Sequence, residues 1–219
     1  MTIKRILIAN RGEIAVRIME TCRRLGIKSI LGASEADVDS VPARLADQVI
    51  CLGGARADQS YLNIEAVVGA AVEAGAEAIH PGYGFLAENP ALARACGEAG
   101  IIFVGPTAGQ LESLGDKLRA RELAEAAGLA VLPGGAIDEP GAGSELAKKL
   151  GYPILIKAVG GGGGRGMRLV RAPSDLDEAV ALAMAEAEAA FGDPRVYLER
   201  FVDKGRHVEV QILGDARKV

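Results

Sequence analysis

The sequence predicts an α/β protein in two parts: a parallel sheet flanked by helices over the first hundred residues, then an α+β unit built around a glycine-rich hairpin. Three observations carry this reading. Short aliphatic runs alternate with amphipathic helical stretches over residues 4–104, the pattern of linked strand–helix–strand units whose strands run parallel. Gly105-Pro106 interrupts that alternation. The run Gly160-Gly161-Gly162-Gly163-Gly164-Arg165-Gly166 then lies between two further strand-like segments. Each glycine held in folded backbone costs about 0.5–1 kcal/mol relative to alanine, so such a run implies close approach of a ligand to bare main chain.

The elements follow in order. Residues 4–9 form the first expected strand. A helix over 13–25 sets Ile14, Ile18, Cys22 and Leu25 on one face and is closed by Gly26, and a strand over 27–33 completes a βαβ unit. Further strands fit 48–52, 78–80 and 101–104, with helices at 64–74 and 90–98, the latter stopped by Gly100. The opening turn, Asn10-Arg11-Gly12-Glu13, lacks the glycine triplet of a dinucleotide site, so this domain, residues 1–109, is Rossmann-like in shape only. A helix over 110–127 leads into the second unit, residues 110–219. There strands are expected at 131–132, 154–157, 167–170 and 196–199, and helices at 145–150 and 174–191. Ser174 and Asp177 have the spacing of a capping box. The Ala- and Glu-rich stretch 178–190 reads as a solvated helix face.

With 49% hydrophobic residues in 219, the chain has enough apolar content for one large or two smaller cores. Its net charge of -4, with basic residues spread along the chain, argues against a general nucleic-acid or membrane-surface partner. No apolar run has transmembrane length, and residues 1–9 pass into a strand without a signal peptide's apolar segment, so the expected location is cytoplasmic. Cys22, Cys51 and Cys96, odd in number and set among apolar neighbours, are expected to be reduced, buried thiols without chemistry.

The glycine run is no P-loop, because Lys157 precedes the glycines and a strand follows them. It is no dinucleotide fingerprint either, since no helix opens behind it. A strand-loop-strand flap remains. Its amide N–H groups can fold over a polyphosphate, with Lys157 and Arg165 supplying positive charge.

Six segments, taken together and in this order, resemble the biotin carboxylase family of the ATP-grasp superfamily. They are Asn10-Arg11-Gly12-Glu13-Ile14-Ala15; Ser60-Tyr61-Leu62-Asn63-Ile64; His80-Pro81-Gly82-Tyr83-Gly84-Phe85-Leu86-Ala87-Glu88-Asn89; Gly115-Asp116-Lys117; the glycine flap through Met167; and Arg206-His207-Val208-Glu209-Val210-Gln211. Pro42 departs from the family, which usually has histidine there. The resemblance implies a Rossmann-like, pre-ATP-grasp sheet domain followed by the first, incomplete part of an ATP-grasp α+β domain. It implies a ligase that uses MgATP to activate bicarbonate as carboxyphosphate and carboxylates biotin on a carrier protein. Its further partners would be a carboxyltransferase and a second copy of the chain, the latter across a surface that includes Arg17.

Position by position, the resemblance makes Lys117 and Lys157 the nucleotide-binding lysines and Gly163 and Gly164 the loop positions nearest the phosphates. Glu199, Arg200, Phe201 and Val202 match the hinge that reads the adenine edge, largely by backbone groups, and His207 matches a further nucleotide contact. Tyr83 is placed near the biotin pocket, whereas His80, at the end of a parallel strand, is read as structural. The family's magnesium carboxylates, bicarbonate-binding lysine and catalytic arginine follow the strand expected at 206–211, so this chain is expected to be a fragment that lacks metal ligands and catalytic residues and is inactive alone. Gly214-Asp215 reads as a hairpin turn before a returning strand. Two other readings stay open: another ATP-grasp ligase, such as a carboxylate-amine ligase, which would share the flap but not both the 80–89 and 206–211 segments, and a non-enzymatic nucleotide-binding module.

Overall fold

The computed structural model describes residues 2–139, 141–160, 167–206, 208–215 and 218. The chain divides into two compact units, Met1–Gly115 and Asp116–Val219.

The first unit is the alternating α/β layer structure that the periodicity predicts. Its strands β1 (Arg5–Ile8), β2 (Lys28–Ser34), β3 (Gln48–Gly53), β4 (Ala78–His80) and β5 (Ile102–Phe103) form one parallel sheet in the order β3-β2-β1-β4-β5. Alternation along β1 explains its two covered faces. Ile6 and Ile8 join Leu31, Ala33 and Ala78 beneath α1 (Gly12–Leu25) and α2 (Val41–Leu45), meeting Ala15, Ile18, Met19 and Ala43. Leu7 and Ala9 turn the other way, joining Ile30 and Ile79 against α3 (Ile64–Glu73) and α4 (Pro90–Glu98), where Val67, Leu92 and Cys96 complete the core.

Helix ends follow local chemistry. Gly26 closes α1 in the left-handed conformation (φ 69°). Asn63 and Asn89 cap α3 and α4 by accepting from the N–H groups of Ala66 and Ala91 at 3.1 and 2.8 Å. Two features lie outside the sequence expectation. Pro42 stands in the first turn of α2, where its missing N–H is no loss, and Cys51 is exposed because β3 is an edge strand and residue 51 faces outward.

The single helix expected over 110–127 is instead two, α5 (Ala108–Gly115) and α6 (Lys117–Ala126). Asp116 breaks it. Its backbone is extended, and its carboxylate accepts from Leu118 and Arg119 N–H at 2.9 and 3.0 Å, starting a new helix. Within the first unit, α5 packs on α4 and the Arg94–Glu112 ion pair ties the two helices.

The second unit holds an antiparallel sheet of β6 (Gly134–Ile137), β9 (Val196–Arg200), β7 (Ile154–Ala158) and β8 (Arg168–Val170), in that order. One face carries Ile137, Ile154, Ile156, Val170, Val196 and Leu198, packed on α7 (Ser144–Leu150) and α8 (Leu176–Phe191). β6 replaces the strand expected at 131–132. Tertiary packing overrides propensity there: a Cβ at Gly134 would lie 2.3 Å from the Tyr197 hydroxyl, and one at Gly135 would lie 2.9 Å from Leu146. The capping box at Ser174 does not form. A short 3-10 turn, Pro173–Asp175, precedes α8, and the Ser174 hydroxyl donates to Asp175 instead. Described residues 208–215 form no strand, since their alternating apolar residues find no neighbouring ladder there. Residues 216, 217 and 219 of the expected returning strand lie outside the described residues.

Candidate functional site

The face of the second sheet opposite α7 and α8 carries Leu155 and Lys157 from β7 and Tyr197 and Glu199 from β9. Pairing of Lys157 with Tyr197, and of Leu155 with Glu199, places Lys157 and Glu199 on a cross-strand diagonal, within reach of long side chains. They form an ion pair. Lys117 reaches the same place from the first turn of α6, its Nζ donating to the Ala158 carbonyl at 3.1 Å. Asp116 fixes that approach by capping the helix whose first residue is Lys117.

Burial and the neighbouring Lys157 charge hold the Lys117 ammonium below its ordinary pKa, while Asp116 opposes the shift. One turn further along α6, Arg121 lies over the Tyr197 ring, 5.5 Å from its centroid. Arg121 was not singled out from the sequence, although its i,i+4 spacing from Lys117 puts both cations on one helix face. Lys117 and Lys157 thus converge on one sheet face, an arrangement suited to a polyanion, while Arg121 is paired with Glu125 at 3.2 Å.

Of the hinge residues, Glu199 turns its side chain to Lys157. Arg200 donates from Nε to the Leu150 carbonyl at 3.0 Å, closing the C-terminal end of α7, so its side chain is structural. Phe201 is half-buried and its N–H donates to the Pro153 carbonyl at 3.1 Å; Val202 is exposed. Gly163, Gly164, Arg165 and His207 lie outside the described residues.

The first unit has its own polar cluster, at the C-terminal ends of the parallel strands where ligands of open α/β sheets gather. Buried Asn10, following β1, donates its amide to the carbonyls of Pro81 and Tyr83, both at 2.7 Å. Gly82 and Gly84 are left-handed (φ 64° and 68°), and so is Phe85 (φ 39°), a strained choice for a non-glycine residue. Phe85 stacks on Tyr61 at 4.8 Å, Arg11 caps both rings, and the Tyr61 hydroxyl donates to Asp37 at 2.7 Å. This framework presents Tyr83, which is 63% exposed and donates to Glu13 at 2.8 Å. The bond to Glu13 raises the Tyr83 pKa. His80 accepts from Gly82 N–H through Nδ1 at 3.0 Å, and burial lowers its pKa, so it is a neutral part of the turn.

Comparison with known proteins agrees with both halves. Residues 2–111 match the family model described as biotin carboxylase, N-terminal domain, and residues 116–218 match that of the carbamoyl-phosphate synthase L chain, ATP binding domain. The chain is 47% identical over 216 residues to a biotin carboxylase of Haemophilus influenzae, covering 97% of this chain and 48% of that protein. Against a biotin carboxylase of Pseudomonas aeruginosa it is 49% identical over 220 residues, covering 98% and 49%. The chain therefore spans about half the length of the curated relatives it matches.

Among solved structures, the biotin carboxylase–β-γ-ATP complex of Campylobacter jejuni superposes with a TM-score of 0.89 at 46% identity, covering 92% of this chain and 46% of that one. The biotin carboxylase domain dimer of Hydrogenobacter thermophilus 2-oxoglutarate carboxylase, solved with MgADP, ADP and bicarbonate, gives 0.88 at 42% identity, covering 93% and 45%. With an N-terminal domain model matched over half its length and relatives aligned along nearly all of it, this chain belongs to the biotin carboxylase family.

Proposed function

We propose that this chain supplies the nucleotide-holding part of an ATP-dependent ligase that carboxylates biotin. Lys117 and Lys157, brought from different elements to one open sheet face, carry the proposal. Two ammonium groups converging at the end of β7, just before the glycine run, suit the phosphate chain of ATP, and the flap would close over it. Glu199, Arg200, Phe201 and Val202 would meet the adenine edge through their backbone, with Gly163, Gly164 and His207 as further nucleotide contacts.

ATP, when bound, supplies the phosphoryl group that activates bicarbonate; the residues named bind and orient it. Among the described residues no group of three or more His, Cys, Asp or Glu side chains is placed to hold a metal ion, so magnesium's ligands are assigned to none of them. In this reading Tyr83 lines the biotin side, the biotin rides on a carrier protein, and a carboxyltransferase passes the carboxyl group to acetyl-CoA, as in fatty acid biosynthesis, or to a related acceptor. A homodimer would use the exposed face of α1 that includes Arg17. The setting would be cytoplasmic; none of the described helices is long and apolar enough to cross a membrane.

The test is calorimetric titration of the chain with ADP and ATP, beside bicarbonate-dependent ATP cleavage by a protein that extends this chain to the full length of its relatives. Saturable nucleotide binding that is lost in the double variant K117A/K157A is expected. Binding that survives that variant would remove the nucleotide site from this face.

A further inference from the structure

The lysine face poses an electrostatic problem that the sequence does not show. Lys117 and Lys157 are both half-buried, and the Nζ of Lys117 is held at the carbonyl of Ala158, the residue next to Lys157. Burial first, and then the Lys157 charge, hold the Lys117 pKa below its ordinary value. An amine that has lost its proton is useless to a phosphate.

Among the described residues, the charged and titratable groups near the two lysines come from α6 with its cap and from β9 with the turn before it. From α6 and its cap there are Asp116, occupied in capping the helix, and Arg121, which lies over Tyr197 and is paired with Glu125 at 3.2 Å. From β9 there are Tyr197 and Glu199. Arg195, just before β9, is held by Asp193 through its Nε and guanidinium bonds at 2.9 and 2.6 Å. Glu199 is therefore the carboxylate that meets Lys157. Its side chain is only 13% exposed, against 27% for Lys157, so the pair is sheltered from screening.

We propose that the Glu199 side chain is a positioning residue, which holds Lys157 on its cross-strand diagonal and offsets the charge that Lys157 presents to Lys117, so that a polyphosphate meets two lysines already in place. This role rests on the reading of the face as a nucleotide site, and it is separate from the backbone role of the hinge. A ligand's phosphate later takes over the offsetting of that charge.

The experiment uses the ligand-free chain labelled with 13C-lysine, following the ε-carbon resonance of Lys117 between pH 8 and 11.5. E199Q is expected to lower the titration midpoint of Lys117, whereas K157Q is expected to raise it. Opposite movements of one reporter, produced from the two ends of one ion pair, are not what a merely structural disturbance gives. E199D keeps the charge but shortens its reach, so it should lower that midpoint less, and it stands in should E199Q fail to fold. Between pH 7 and 9.5, ADP affinity should fall about three- to tenfold more in E199Q than in the unaltered chain. An unmoved Lys117 midpoint in both Glu199 variants, or a shift in the same direction in E199Q and K157Q, would overturn the role. ADP that binds no variant at any pH would instead overturn the nucleotide reading, and the Lys117 midpoint would still decide what Glu199 does.

Discussion

The side-chain amide of Asn10 donates to the carbonyl of Pro81, 71 residues away in sequence, and joins the end of β1 to the turn that follows β4. A second bond, to the Tyr83 carbonyl, places the backbone of the exposed tyrosine. The Asn10 carbonyl oxygen accepts from Arg11 N–H at 2.9 Å, so both ends of the amide are in use.

Removing that amide leaves the buried Pro81 carbonyl and the part-buried Tyr83 carbonyl without their donor. Asn10→Ala should cost about 2–3 kcal/mol, read as a lower urea midpoint of the 219-residue chain with an unchanged slope. A loss below 1 kcal/mol would mean that water replaces the amide and the turn does not depend on it.

Gly82 and Gly26 share a left-handed backbone but not their surroundings. A Cβ at Gly82 would lie 2.8 Å from Asn10 Nδ2, whereas one at Gly26 meets nothing within 4 Å. Gly26→Ala should therefore cost about 1–2 kcal/mol, from backbone strain alone, and Gly82→Ala about 2–4 kcal/mol, because the Asn10 anchor is displaced as well. Equal losses in thermal or urea unfolding would count against a crowded turn.

In the proposed nucleotide site, Lys117 and Lys157 should each be worth one charge-assisted contact. Lys117→Ala and Lys157→Ala are each expected to weaken ADP binding by about one to two orders of magnitude in calorimetry. Folding should suffer more in Lys157→Ala, which strands the sheltered Glu199 carboxylate. Nucleotide affinity unchanged in both variants would return the two residues to the class of ordinary surface lysines.

Acid should reveal Asp47. Its carboxylate accepts from both the N–H and the hydroxyl of Ser29 at 2.8 Å, and these two bonds hold its pKa below the ordinary aspartate value. A depressed carboxylate adds stability that is present above the unfolded pKa of about 3.9 and is lost as pH falls through the folded value. Asp47→Asn should thus be less stable than the unaltered chain at pH 6 and lose that difference towards pH 3, in urea unfolding at each pH. A stability gap that does not narrow on acidification would show that Asp47 acts by packing and not by charge.

The α/β class, the parallel sheet of the first unit and most strand and helix positions were legible in the sequence, because each depends on local pattern; Lys117 was marked only by resemblance to a family. Hydrophobic period distinguishes strand from helix, glycine and asparagine mark helix ends, and a glycine run beside a lysine advertises a phosphate. Residues 10–15 and 80–89 even name the segments that Asn10 later joins. What the tertiary structure alone decided depends on neighbours distant in sequence. Gly134 and Gly135 form a strand that propensity would refuse, because Tyr197 and Leu146 leave no room for side chains. Asp116 splits a helix that periodicity would continue, since a carboxylate able to take two N–H groups is worth more at a helix start than in its interior. The apolar alternation at 208–213 meets no neighbouring ladder among the described residues, and alternation without a partner makes no strand. The Lys157–Glu199 pair, 42 residues apart, exists only through the register of β7 against β9. Composition names the charges, but pairing geometry decides which of them meet.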